Sequence, residues 1–146
     1  MNLYTIGFTQ KPAQSFFESL AEHKIDMMID VRAHPGGQLS GFAKQKDLIY
    51  FLDRLLKCGY QHLPDLAPTE EIFSAYRASH DWTQYRARFE ALLDARHIPD
   101  SLDRLMFNDH RCCLLCSEPK PDTCHRILVA ERLQRHWADV HITHIA

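Results

Sequence analysis

Two hydrophobic periodicities alternate along the chain. Leu3-Tyr4-Thr5-Ile6 is a short apolar run closed by Gly7, the pattern of a strand. Pro12 then opens a stretch where Phe16, Phe17 and Leu20 recur at helical spacing. Ile25 to Val31 is compact and apolar, as expected of a strand covered on both faces. A loop with His34-Pro35-Gly36-Gly37 and Gly41 follows. Leu48, Phe51, Leu52, Leu55 and Leu56 then trace a helix that stops near Gly59.

The alternation continues to the end. Tyr60 to Leu63 reads as a strand, and Pro68-Thr69-Glu70-Glu71 as a helix start. Trp82, Tyr85, Phe89, Leu92 and Leu93 form an amphipathic helix, and Leu102 to Phe107 a short one. Cys112 to Cys116 (CCLLC) is a second wholly apolar strand. Asp122 is the expected N-cap of a helix with Ile127, Ala130, Leu133 and Trp137 inward, and Val140 to Ile145 closes the chain as a strand. Strands separated by helices predict an α/β fold: a single three-layer domain over residues 1–146, its sheet mainly parallel, with helices on both faces.

Composition narrows the class. At 146 residues, 45% hydrophobic and 25% charged, the chain has the size and balance of one globular domain. No leader-like segment is read at the N-terminus, and the apolar runs are too short to span a bilayer, so the expectation is a cytoplasmic protein without a membrane partner. The net charge of −2 argues against bulk electrostatic binding to nucleic acid. A few placed arginines still admit a nucleic-acid end. Oligomeric state is left open, and no cofactor is expected.

In open α/β sheets ligands sit beyond the carboxyl ends of strands. Two such ends carry unusual polar residues. Asp30 and Arg32 share one face of the second strand, either as an internal ion pair or as ligand-facing groups. After the CCLLC strand come Cys116-Ser117-Glu118 and then Thr123-Cys124-His125-Arg126, placed in a helix's first turn. A helix start attracts anions and acidifies thiols. Cys116 is the candidate nucleophile or thiol ligand, His125 the acid/base and Glu118 its partner. Asp30, Arg32, Cys124 and Arg126 are the candidate substrate-binding residues.

Five cysteines, four of them between positions 112 and 124, raise a metal reading. Strand geometry thins it. Cys113 faces away from Cys112 and Cys116, which lie roughly 13 Å apart. Cys124 and His125, if both helical, diverge by about 100°. Metal is therefore not expected, although Cys116, Cys124 and His125 remain the set that would bind one. A tight phosphatase-type loop is also not matched: Pro119 and Pro121 remove amide donors, and Arg126 lies ten positions after Cys116.

The motifs together resemble a widespread bacterial family, domain of unknown function 488. The resemblance rests on Tyr4-Thr5-Ile6-Gly7, on Ile29-Asp30-Val31-Arg32 with Pro35 and Phe42, on Tyr60 with His62, and on Leu114 to Glu118 followed by Cys124-His125-Arg126. It implies that Arg32, Cys116, Glu118, Cys124, His125 and Arg126 belong to the family's recurring polar set. Phe8 stands where many relatives carry histidine. The expected function is an enzyme binding an anionic small molecule, nucleotide or nucleic-acid end. The alternatives are a non-catalytic anion-sensing or regulatory module, and a metal-binding protein.

Overall fold

The computed structural model describes residues 1–118 and 120–146, and for residues 38–40 the backbone only. Five strands form one sheet: β1 (Asn2–Gly7), β2 (Met27–Asp30), β3 (Gly59–His62), β4 (Cys112–Cys116) and β5 (His141–His144). Their order is β3-β2-β4-β1-β5, and every pair is parallel. The helices are α1 (Ala13–Glu22), α2 (Gln45–Leu56), α3 (Glu70–Ser79), α4 (Trp82–Ala95), α5 (Arg104–Asp109) and α6 (His125–His136).

Side-chain alternation on the strands divides the core into two layers. Tyr4, Ile6, Met28, Cys113 and Leu115 pack against Phe16, Phe17, Leu20, Leu48 and Leu52 of α1 and α2. Leu3, Ile29, Cys112, Leu114 and Cys116 face the other way, against Phe89, Phe107, Leu128 and Leu133 of α4, α5 and α6. The sheet is thus covered on both faces, as the pattern requires. Leu114 and Leu115 are wholly buried on opposite sides, each contributing roughly 1.5–3 kcal/mol.

This layering positions the site. β1 and β2 flank β4 and feed α1 and α2 on one face, whereas β4 feeds α6 on the other. The chain leaving β4 therefore diverges from both neighbours, and a crevice opens at its carboxyl end.

The boundaries differ from expectation in instructive places. β2 is shorter than the apolar run, because Ile25 closes α1 through its amide to the Leu20 carbonyl. The short helix predicted over Leu102 to Phe107 begins later, at Arg104, because Asp103 caps it by accepting from the Met106 amide. The largest correction is at α6. Asp122 is not its N-cap; Pro121–Thr123 forms a separate 3-10 turn, closed by the Cys124 amide on the Pro121 carbonyl. Cys124 is then extended (φ −115, ψ 142), and the helix begins at His125. Ile127 is half-buried rather than inward. Pro119 lies outside the described residues.

Candidate functional site

The crevice holds a cavity of about 400 Å³. One wall comes from the chain leaving β2, with Arg32, Ala33 and His34. The floor is Cys116, Ser117, Glu118, Thr123, Cys124 and His125. The far wall is Phe73, Tyr76 and Arg77 of α3 with Tyr85 of α4. A second groove of about 460 Å³ lies between α1 and α2, but its lining contains neither a cation nor a nucleophile.

Arg32 is built into its wall. Its Nε donates to Asp30 Oδ1 at 2.8 Å and its Nη2 to Asp30 Oδ2 at 2.6 Å, a bidentate pair with Arg32 95% and Asp30 fully buried. Tyr60 donates its hydroxyl to the same Oδ2, and the Arg32 carbonyl accepts from His62 Nε2 at 2.7 Å. The guanidinium lies over the Phe8 ring, 5.2 Å from its centroid. Its third nitrogen, Nη1, is buried without a hydrogen-bond partner among the described residues. Asp30 does not line the cavity; it forms the internal ion pair of the sequence alternative with Arg32, and Arg32 lines the cavity wall.

Cys116, Cys124 and His125 converge on the cavity floor, all three buried. The divergence expected of Cys124 and His125 does not arise, because Cys124 precedes the helix and its extended backbone turns the sulfur back. Their donor atoms and that of Cys116 lie within 4.8 Å of one another. His125 Nε2 donates to the Val31 carbonyl at 2.7 Å, since a carbonyl only accepts. In the neutral ring Nδ1 then carries the lone pair, 3.6 Å from Cys116 Sγ. Phe73 and Phe89 present their ring edges to the imidazole at 5.8 Å.

The two thiols are coupled. A hydrogen bond from Cys124 holds the Cys116 thiol below its ordinary value; burial opposes this, while the Ser117 and Glu118 amides and the Arg126 charge assist. Donating that bond, with burial, pushes Cys124 well up. The cysteines outside the site behave as packing residues. Burial raises Cys58 and Cys112 to about 12 and pushes Cys113 well up.

Glu118 and Arg126 separate in role. The Glu118 side chain is exposed at the cavity rim. Arg126 stands behind the loop, fully buried and not on the cavity wall. Its Nη1 donates to the Glu118 carbonyl and its Nε to Thr5 Oγ1 at 3.3 Å. It ties the loop to β1 instead of facing a ligand. Gly7 permits that seating: an added Cβ would fall 1.7 Å from the Glu118 carbonyl oxygen.

The structure thus brings Arg32, Cys116, Glu118, Cys124 and His125 to one cavity and leaves Asp30 and Arg126 beneath it. Sequence reasoning missed the far wall. Phe73, Tyr76 and Tyr85 read there as parts of amphipathic stripes, and only the packing of α3 against α4 brings them to the site. Neither the curated proteins nor the solved structures give a significant match. A family model described as domain of unknown function DUF488 matches residues 12–133, a span that contains both strand ends of the site. The chain belongs to that family.

Proposed function

We propose that the chain is an enzyme acting on an anionic small molecule or nucleotide, with the anion held by Arg32 and the reacting end at Cys116. The observation that carries this reading is the half-used guanidinium. Two of its nitrogens are fixed by Asp30, and the third is buried, without a partner among the described residues, beside a cavity of ligand size. A buried donor without a partner is costly unless something fills its place. A phosphate or carboxylate supplies that acceptor at a guanidinium already oriented by Asp30.

The remaining residues divide the work. Cys116 meets the reacting atoms. His125 serves the sulfur rather than the substrate, because Nε2 is fixed on Val31 and the ring lies beside Sγ, 3.6 Å from Nδ1. Glu118, at the rim, is the group able to exchange protons with solvent. Tyr76 and Phe73 offer an aromatic wall for the organic part of the ligand, which suits a nucleotide base or a similar ring.

Calorimetric titration with inorganic phosphate and with adenosine monophosphate tests the reading. Arg32→Lys keeps a positive charge for Asp30 but loses the planar third arm. Both anions should bind the wild type, and Arg32→Lys should bind them at least about tenfold more weakly, equivalent to roughly 1.4 kcal/mol. Equal binding by the two proteins, or no binding by the wild type, overturns it.

A further inference from the structure

We propose that Cys116, Cys124 and His125 are three ligands of one zinc-class divalent ion whose fourth position opens on the Arg32 cavity. The distances suit such an ion. With Zn–S about 2.3 Å and Zn–N about 2.0–2.1 Å, a tetrahedral sulfur–nitrogen edge is roughly 3.5 Å and a sulfur–sulfur edge roughly 3.8 Å. Cys116 Sγ and His125 Nδ1 are 3.6 Å apart, and all three donors fall within 4.8 Å of one another. Cys116 Sγ also lies 4.0 Å from Nε2, beside the ring, so closing the set takes a turn of the imidazole that brings Nδ1 toward the two sulfurs.

The surroundings agree. The bond from His125 Nε2 to the Val31 carbonyl fixes the tautomer and leaves Nδ1 as the unprotonated ring nitrogen, the division of roles usual in metal-bound imidazoles. The three donors come from a strand end, an extended residue and the first residue of a helix, so none depends on another's rotamer. Among the described residues no other group of three such donors gathers in this way. With three protein ligands and a cavity at the fourth corner, the set has the composition of a catalytic site rather than a closed structural one. Loading the ion releases both thiol protons and makes Cys116 and Cys124 thiolate ligands. No oxidation or reduction is involved.

This rests on the proposed function for the cavity being the reaction site, and it moves the reacting end from the Cys116 sulfur itself to the open position beside it. The open position takes water or the reacting end of the ligand, with Arg32 holding the anion and Glu118 at the rim to exchange protons. Metal binding itself is tested separately from anion binding.

The experiment uses the full chain without a histidine tag. It combines elemental analysis of protein purified without chelator with titration of the metal-free protein by cobalt(II) and zinc. One equivalent of cobalt should give tetrahedral visible bands and a sulfur-to-cobalt charge-transfer band, both displaced by zinc. Zinc, but not magnesium, should raise the unfolding temperature of the metal-free wild type. Cys116→Ser and Cys124→Ser should weaken zinc binding by more than roughly 100-fold, since even outer-shell partners are worth up to that much. Cys112→Ala, on the same sheet face but outside the cluster, should bind as the wild type does. An octahedral cobalt spectrum, no thermal shift with zinc, or an unchanged Cys124→Ser overturns the metal site. Zinc bound without phosphate overturns the anion reading alone, and phosphate bound without zinc overturns the metal alone.

Discussion

Asp30→Asn tests the part of the site on which the anion reading depends. The carboxylate is wholly buried and makes four contacts: the Arg32 amide at 3.1 Å, Nε at 2.8 Å, Nη2 at 2.6 Å and the Tyr60 hydroxyl. Asparagine keeps Oδ1, and with it the bonds from the amide and Nε. It replaces Oδ2 with an NH₂ group that confronts Nη2, one donor against another. It also removes the charge opposite a guanidinium that is 95% buried. Breaking a buried pair by removing one partner costs about 3–5 kcal/mol. The two retained bonds put this case at the lower end, about 3 kcal/mol. Urea unfolding followed by circular dichroism reads the loss directly. The same experiment in phosphate carries the sharper result. An external anion partly replaces the missing carboxylate, so phosphate should stabilise Asp30→Asn more than it stabilises the wild type. A loss under about 1 kcal/mol, or an identical phosphate response in both proteins, would refute the reasoning.

Two further perturbations probe how the loop and the last strand are seated. Gly7→Ala sets a methyl group against the Glu118 carbonyl and near Arg126 Nη1, and backbone atoms cannot rotate aside; a loss of about 3 kcal/mol on thermal unfolding is expected, and wild-type stability would mean the loop does not rest on β1. His144 is held below 6.5, chiefly by burial and then by Arg126, while Glu131 and Asp122 oppose the shift. Thr5 Oγ1 accepts from Arg126 Nε, so its own proton goes to His144 Nδ1 at 2.6 Å, which must be unprotonated. The folded chain therefore binds this proton less readily than the unfolded chain. The contribution is complete above about pH 6.5 and is lost as pH falls from there toward the lower folded value. Unfolding temperatures of wild type and His144→Gln should diverge on acidification below pH 6.5, the wild type falling faster; parallel curves would reject the assignment.

The clearest part of the sequence was β4, and the reason is local. Cys112 to Cys116 is a wholly apolar run between Arg111 and Ser117, so its ends are fixed by composition, and strand alternation alone separates Cys113 from Cys112 and Cys116. The parallel sense of the sheet is equally legible, because a helical stripe separates each strand from the next. The start of α6 was misread because Asp122 is a good capping residue by type, but Pro121 begins a turn of its own one residue earlier. That error carried the metal argument with it: the divergence of Cys124 and His125 holds only if both are helical. The place of Arg126, off the cavity lining, was not legible for another reason. Spacing places its Cα, whereas a long side chain decides its partners through tertiary contacts, here Thr5 and Glu118.

The two buried arginines show how a site can be told from its support. Both are nearly or fully enclosed, and both lie close to the end of β4. Burying a guanidinium is costly unless its donors meet acceptors. Arg126 meets them within the fold: a carbonyl of the β4–α6 loop and a hydroxyl of β1. It holds Glu118 where Gly7 leaves room, and the loop that results sets the Ser117 and Glu118 amides on the Cys116 sulfur. Arg32 meets acceptors on one side only. Asp30 takes two of its nitrogens, Tyr60 and His62 hold the pair from β3, and Phe8 backs the ring plane, so the guanidinium cannot turn to find an acceptor for the third. Four residues on β2, on β3 and just after β1 hold in place a donor that has no partner among the described residues. A rigidly held donor without an acceptor costs stability, and on the proposed reading an arriving anion supplies that acceptor. Cys116, Cys124 and His125 line the same cavity, so the proposed anion and the sulfurs would share it.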